Sequence, residues 1–261
     1  MRYFLIAAAA CIPVLGAASA AHAQDGDTTR VRVGLGAQVR PDFVGSDSYE
    51  FAPLFDIDTA KGDHLFKFEA PDYSFWIPIV DTGGFEFGPA LNLANGRKNK
   101  DVGGLPLGRV KTTIEAGGYM NYEVSPSFYL HAEVLKGLGG HDGVVGTLGA
   151  DYVWRDGDKY VFSIGPRALF SDSKYQRAYF GVTPAAAIAT GLPAYRPDGG
   201  LHGVALASGL SYQFNADWGM FGYARYERLI GDAADSPIVR SKFGSRNQLS
   251  GGIGLSYTFR M

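Results

Sequence analysis

The chain has 261 residues and a formal net charge of -2 at pH 7, so it offers no basic surface for nucleic acid. Charged residues make up 19% of it and no long apolar run follows the N-terminal one, which excludes an inner-membrane protein of several helices. Glycine (36 residues) and aromatic residues (17 Phe, 15 Tyr and 3 Trp) are frequent, which is typical of many strands joined by tight turns.

The first predicted element is a secretory signal peptide over residues 1–23. Arg2 precedes an apolar run at residues 4–20, and Ala21-His22-Ala23 forms a small-x-small processing site. A transmembrane helix is the competing interpretation, but the run is short for a membrane span. Cys11 lies inside the run, too early for a lipoprotein acceptor. Because it is the single cysteine of the sequence, residues 24–261 contain none and cannot form disulfides. We expect these residues to form one domain.

The rest of the chain alternates between apolar and polar residues with a period close to two, which predicts β-strands. In "NQLSGGIGLSYTFR", for example, Ile253 and Leu255 alternate with Gly254 and Ser256. The predicted strands in chain order are residues 31–40, 49–58, 64–70, 74–80, 85–93, 110–122, 128–136, 144–154, 159–169, 201–214, 218–228 and 248–259. Pro71 and Pro78 weaken the pair at 64–80, because proline cannot donate to a strand ladder, and ten or eleven crossings remain consistent with the sequence.

Such a pattern is compatible with a soluble β-sandwich or with a transmembrane barrel. Three features favour the barrel: strands of about ten residues or more, aromatic residues at strand ends such as Tyr212 and Phe214, and a final "LSYTFRM" with alternating aromatics. We therefore predict an all-β protein, a transmembrane antiparallel up-and-down β-barrel of about 12 strands, with 10–12 consistent with the sequence.

The connections between strands alternate in length. Residues 81–84, 125–127, 155–158 and 215–217 are short turns, expected on the periplasmic side, whereas residues 95–109, 170–200 and 229–247 are long and expected outside. A strand at residues 175–182 would break this parity, so that stretch is assigned to an extended loop. Thr183-Pro184 to Gly191 predicts one or two helical turns.

Three stretches identify a family. "VRPDFVGSDSYEFAPLFDI" (39–57), "YFGVTPAAAIATGLPAYRPDGGL" (179–201) and "ERLIGDAADSPIVRSKFGSRNQ" (227–248) resemble the MltA-interacting protein family, also called MipA/OmpV. The resemblance implies a barrel in the outer membrane of a Gram-negative bacterium, surrounded by outer-membrane lipid. It also implies a scaffold that links a murein lytic transglycosylase, which is a murein hydrolase, to a penicillin-binding murein synthase.

The acidic pair Asp232 and Asp235 in the third stretch could contribute to a cation site, but too few oxygen ligands surround it for calcium. The favoured interpretation is a loop in which these carboxylates accept hydrogen bonds from backbone amides. Tyr195 and Arg196 likewise offer a recognition surface, or belong to a loop folded over the barrel mouth.

Strand alternation turns several charged or titratable residues inward: Arg32, Arg40, His131, Glu133, Arg167, Arg225 and Glu227. Because both signs are present, we favour ion pairs that fill the lumen over the lining of a small-solute channel. A hydrolase at the rim, with His131 or His202 as base, is less favoured because no nucleophile signature surrounds any serine. The sequence therefore predicts no catalytic, cofactor or metal site, and it does not define the oligomeric state.

Overall fold

The computed structural model describes residues 28–261, in which twelve strands form one antiparallel sheet. The predicted signal peptide and Cys11 lie outside the described residues. The strands are β1 (Thr29–Pro41), β2 (Tyr49–Lys61), β3 (Phe75–Trp76), β4 (Val80–Thr82), β5 (Phe85–Ala94), β6 (Thr113–Ser125), β7 (Phe128–Leu138), β8 (Val144–Asp156), β9 (Tyr160–Ser171), β10 (Gly200–Gln213), β11 (Trp218–Leu229) and β12 (Asn247–Arg260). Their order is β2-β1-β12-β11-β10-β9-β8-β7-β6-β5-β3, and β4 pairs with β5.

The sheet is apolar on its outer face and polar on its inner face. On β1, Leu35 is 62% exposed and lies between Phe55 of β2 and Leu255 of β12, which are also exposed. Arg32 on the same strand and Ser256 on β12 are buried on the inside. A soluble protein places these two classes the other way round, so the outer face has the character of a wall in contact with lipid. The predicted all-β transmembrane fold is confirmed.

Both described chain ends and the short turns lie at one end of the sheet. Residues 126–127, 157–159 and 214–217 make the turns there, as predicted. Aromatic pairs surround this end, with ring centroids 4.1 Å apart for Phe85–Tyr122 and 4.9 Å apart for Trp218–Tyr257. The long connections lie at the opposite end. Among residues 28–261, no helix has the length and apolar character needed to cross a membrane.

The predicted strands at 64–70 and 74–80 are wrong. Residues 64–70 form no strand, and 74–80 contributes only the two residues of β3 and the start of β4. Residues 62–74, which we call the inner segment, instead enter the space enclosed by the sheet. The chain rejoins the wall at β3 and continues along β5, with the Ile77 amide donating to the Pro89 carbonyl at 3.1 Å. Pro71 and Pro78, which cannot donate, interrupt the ladder at this point.

This departure leaves a seam in the wall, since the described residues contain no ladder between β2 and β3 or β4. Side chains connect the two edges at the end with the long connections. Arg40 on β1 donates to Asn95 Oδ1, which follows β5, and Asn95 Nδ2 donates to Glu50 Oε1 on β2, each at 2.7 Å. The sheet thus curls until its edges meet through polar side chains.

The long connections contain helices α1 (Ser173–Phe180), α2 (Pro184–Thr190) and α3 (Gly231–Asp235), and a 3-10 helix at Asn99–Val102. The assignment of residues 175–182 to an extended loop is wrong, because Asp172 caps α1 by accepting from the Tyr175 amide at 2.9 Å. The helical turns after Thr183 are confirmed as α2. Thr183 is its N-cap, and Gly191 ends it in the left-handed conformation, with φ 74°.

Candidate functional site

The three stretches that resemble a family meet over one end of the barrel. We call residues 42–48, 95–112, 172–199 and 230–246 the cap. Its interior consists of two apolar clusters, to which the first stretch contributes Phe43, the second Tyr179 and Phe180, and the third Ala233 and Ile238. All five side chains are almost completely buried, so all three stretches contribute to the interior of the cap.

Hydrogen bonds fix the stretches to one another. Gln248 accepts from the Gly45 amide at 3.0 Å and donates to the Ser46 carbonyl at 2.9 Å, which joins the first stretch to the third. Ser236 Oγ donates to the Phe180 carbonyl at 2.7 Å, which joins the third to the second. Gly45 has φ 93°, so the predicted positive-φ turn is present.

The acidic pair has structural partners. Asp232 Oδ2 accepts from the Asp198 amide at 2.8 Å, and the Asp232 carbonyl accepts from Tyr195 Oη at 2.9 Å. Asp235 forms ion pairs with Arg240 and Arg246 at 2.5 and 3.3 Å. The predicted carboxylate–amide bond is therefore confirmed at Asp232, and the loop that carries Tyr195 is folded over the barrel mouth.

The cap contains a buried arginine, Arg97, that the sequence analysis did not single out. It is 2% exposed, and its guanidinium donates to the carbonyls of Tyr179 and Leu107. Burial lowers its pKa to about 10. By these hydrogen bonds to backbone carbonyls, the guanidinium connects the 95–112 connection to α1. It is a single charge in a loop, which gave no sequence pattern to recognise.

Inside the barrel, the inner segment supplies the acidic partner for two of the predicted inward arginines. Asp72 accepts from Arg167 Nη2 at 2.9 Å and from Arg225 Nη1 at 3.3 Å. Arg167 also pairs with Asp151 at 2.9 Å, and Arg225 pairs with Glu227 at 2.8 Å. The predicted filling of the lumen by ion pairs is confirmed, although Asp72 and Asp151 were not among the predicted residues.

The remaining predicted inward residues follow the same rule. Arg32 pairs with Asp58, and its Nε donates at 2.9 Å, while Arg40 pairs with Glu50 at 3.1 Å. Glu133 accepts from Ser74 Oγ of the inner segment at 2.9 Å. His131 Nδ1 lies 2.6 Å from Asn121 Oδ1.

Tyr73 is the aromatic anchor of the inner segment. Its ring stacks on the His131 ring, with the two centroids 3.7 Å apart. The Arg167 guanidinium lies over the Tyr73 ring, 4.5 Å from the ring centroid. Its hydroxyl donates to Asp151 at 2.7 Å. Nearby, Pro71 lies so close to Gly209 that a Cβ there would be 2.7 Å from Pro71 Cδ, which explains the glycine on β10.

The inner segment is also fixed at the end with the short turns. The Phe66 amide donates to Asp158 Oδ1 at 3.0 Å, and Arg155 donates to the Phe66 carbonyl at 2.6 Å. Asp158 additionally pairs with Arg30 at 3.0 Å. The segment therefore contacts the wall along its whole length.

A cavity of about 440 Å³ separates the cap from the inner segment. Its wall includes His202, whose Nδ1 lies 3.0 Å from Ser171 Oγ, a serine–histidine contact that the sequence did not predict. Both residues are buried, and within residues 28–261 no carboxylate is hydrogen-bonded to His202 to orient it as a base. His131, the other proposed base, is stacked under Tyr73.

The chain is similar in sequence to two curated proteins. The MltA-interacting proteins of Escherichia coli (strain K12) and Shigella flexneri are each 29% identical over 131 residues, covering 49% of this chain and 51% of either relative. The chain thus spans about half the length of the curated relatives it matches.

Among solved structures, the NanC porin gives a TM-score of 0.39 at 10% identity over 88% of this chain and 98% of that one. The outer membrane channel DcaP of Acinetobacter baumannii gives 0.40 at 8% identity over 90% and 99%. The architecture of this chain is defined by its own strand pairing. The family model described as MltA-interacting protein MipA matches residues 33–259, nearly all of the described chain, and the chain therefore belongs to the MipA family.

Proposed function

We propose that the protein resides in the outer membrane of a Gram-negative bacterium and acts as a non-enzymatic interaction protein rather than as a channel. The observation that carries this proposal is the family match over residues 33–259, combined with a lumen occupied by the inner segment. An interaction protein needs a stable surface and no open path, and a lumen crossed by ion pairs suits that role.

The outward-facing apolar side chains support the proposed location. Phe51 is 85% exposed and Phe55 is 68% exposed, values that are costly in water but favourable against acyl chains. Fractionation of envelopes on a density gradient should place the protein with the outer membrane. Unheated samples should migrate faster on a gel than boiled samples, and recovery with the inner membrane would contradict the proposal.

The partner we propose is a murein lytic transglycosylase, with a penicillin-binding murein synthase as a further partner. The relatives are named MltA-interacting proteins, and this name supports the first of the two. Because murein lies on the periplasmic side, we assign the docking surface to the short-turn end, around residues 126–127, 157–159 and 214–217.

Capture of a purified lytic transglycosylase by the barrel in detergent tests this assignment. Replacement of the 214–217 turn by Asn-Gly should abolish or reduce capture, whereas Ile188→Ser on the cap, where the side chain is 90% exposed, should leave it unchanged. The reverse outcome would place the partner on the cap. Failure of the unmodified protein to capture either murein enzyme would refute the scaffold.

Two further measurements separate this function from its rivals. In planar bilayers, the unmodified protein should show no discrete conductance steps, and regular steps would instead support a channel. Purified protein should not hydrolyse lipid or peptide esters, and turnover that is lost in His202→Ala would support a hydrolase built on the contact with Ser171.

A further inference from the structure

Within residues 28–261, the outer face of the wall carries charged side chains only near strand ends. Among the outward-facing positions of the ten long strands, Lys61 and Asp156 lie at the end with the short turns, and Lys136 and Arg228 lie at the end with the cap. The lipid-facing surface is therefore positively charged beside the cap, whereas its other end carries both signs. Arg228 donates to Asn247 Oδ1 at 2.9 Å, so Lys136 is the cap-end cation without a side-chain partner.

A second lysine lies beside Lys136, at the 139–143 turn that connects β7 to β8. Lys136 Nζ donates to the Asp142 carbonyl, which places the ammonium group at this turn. A Cβ on Gly140 would be 2.5 Å from the Lys111 carbonyl oxygen, so the backbone of Lys111 is in direct contact with the same turn.

A third lysine lies on the other side of the turn, in the first turn of α1. A Cβ on Gly143 would be 2.6 Å from Asp172 Oδ1, so the residue that caps α1 is in contact with the turn. Lys174 is the second residue of that helix and is exposed. We call Lys111, Lys136 and Lys174 the lysine cluster.

The lysine cluster is not neutralised by ion pairs. All three side chains are exposed, and the lysines that form ion pairs within residues 28–261 are Lys67 and Lys100. The two carboxylates beside the turn, Asp142 and Asp172, each accept a hydrogen bond from a backbone amide. Three exposed ammonium groups around one turn thus outnumber the carboxylates, and the excess of positive charge favours an anion.

The wall between Lys136 and the short turns is apolar and shallow. Val134, the next outward residue of β7, is 60% exposed and lies between Gly118 of β6 and Gly146 of β8. Gly118 does not have a positive φ, and a Cβ there would come no closer than 3.5 Å to its nearest neighbour, the Gly88 carbonyl oxygen. Neither backbone conformation nor packing requires this glycine, so the space outside it is available to a hydrocarbon chain.

We propose that the lysine cluster binds the phosphate group of a membrane lipid in the leaflet at the cap end, with an acyl chain of that lipid over Val134. Basic side chains at a membrane surface attract anionic headgroups, and the apolar wall beside them is suited to the chain of the same molecule. The site rests on the proposed location in a membrane, but it is separate from the surface assigned to murein enzymes at the opposite end.

Native mass spectrometry of the purified full-length barrel, titrated in detergent with dioleoylphosphatidic acid, tests the proposal. We expect saturable binding, with dioleoylphosphatidylcholine, which has the same chains on a zwitterionic headgroup, binding at least tenfold more weakly. Sodium phosphate in tenfold excess should not displace the lipid, because it lacks the chains. Equal affinity for the two lipids, displacement by phosphate alone, or no binding of phosphatidic acid would each overturn the proposal. If such a protein still fractionates with the outer membrane, the lipid site fails and the proposed location stands.

Variants locate the site. Lys111→Gln, Lys136→Gln and Lys174→Gln should each weaken binding of dioleoylphosphatidic acid about fivefold, the effect of one basic residue at an anionic surface. Lys136→Arg keeps the charge and should bind like the unmodified protein. The matched control is Lys61→Gln, an exposed outward lysine at the opposite end of the wall, which should leave the affinity unchanged. Unchanged affinity in all three cluster variants, or an equal loss in Lys61→Gln, would refute the site. Heat-modifiable migration checks their folding, and the comparison of the two lipids on the unmodified protein decides the question even if one variant does not fold.

Discussion

Arg167 is the residue on which the filling of the lumen depends most. It is 3% exposed and makes a two-point contact with Asp72, with Nε and Nη2 at 3.1 and 2.9 Å, while Nη2 also contacts Asp151 at 2.9 Å. Arg167→Met keeps a long side chain but removes the charge. Two buried carboxylates then lose their shared cation.

The magnitude follows from the partners that remain. Breaking a buried ion pair by removing one member costs about 3–5 kcal/mol. Asp72 keeps Arg225 at 3.3 Å, and Asp151 keeps the Tyr73 hydroxyl at 2.7 Å, so the lower part of that range applies, about 3–4 kcal/mol. Arg167→Lys retains the charge but not the two-point geometry, and should lose about 1.5–3 kcal/mol, as for one hydrogen bond to a charged group.

Urea-induced unfolding in phospholipid vesicles, followed by tryptophan fluorescence, measures these free energies. The matched control is Asp217→Asn, which removes an ion pair with Arg260 at 4.0 Å in which both side chains are about half exposed, and should cost about 0–1 kcal/mol. If Arg167→Met destabilises the protein no more than this control does, then the lumenal ion pairs do not hold the inner segment.

Three further predictions test the wall and the cap. Leu35→Lys, at the middle of β1 on the lipid-facing side, should lower the free energy of unfolding in vesicles by about 2–4 kcal/mol, and an unchanged value would contradict a lipid-facing wall. Burial, together with repulsion from Asp101 and Glu50, raises the pKa of Asp42, so its carboxylate form opposes folding. Asp42→Asn should therefore raise stability in urea titrations at pH 7, and the gain should vanish in acid, below the usual aspartate pKa; a pH-independent gain would exclude titration as the cause. Gly103→Ala should loosen the cap and speed its limited proteolysis, since Gly103 has φ 65° and a Cβ would overlap the Phe243 ring, a conflict of about 1–3 kcal/mol for the backbone alone; an unchanged proteolysis rate would show that the ring can move aside.

The ten long strands were predictable because each has a local signal. Alternation of apolar and polar residues fixes which side chains face inward, and that information is present within any ten residues. It correctly turned Arg167 and Glu133 toward the lumen. Alternation does not identify partners, however, since Asp72 lies 153 residues from Arg225 in the chain.

Alternation gave the wrong structure for the inner segment. "HLFKFEA" at residues 64–70 alternates like a strand, yet its polar groups bind the 157–159 turn and β5 rather than one neighbouring strand. Only the prolines at 71 and 78 signalled a broken ladder. Helix α1 was missed because residues 175–182 were assigned by the parity of strand crossings alone, although the Asp172 cap that begins the helix is a local signal.

The cap and the inner segment together explain how a wall with a seam can persist in a membrane. Backbone groups at a sheet edge have no water to bind within the acyl layer, so an unpaired β2 edge is costly. In this chain the inner segment leaves from β2 and rejoins beside β5, and it binds β7, β8, β9 and β11 on its way. At the other end Asn95 joins Glu50 to the cap connection. Both devices draw the two edges together from inside, so the residues that occupy the lumen also hold the wall closed, and clearing the lumen to make a channel would weaken the barrel itself.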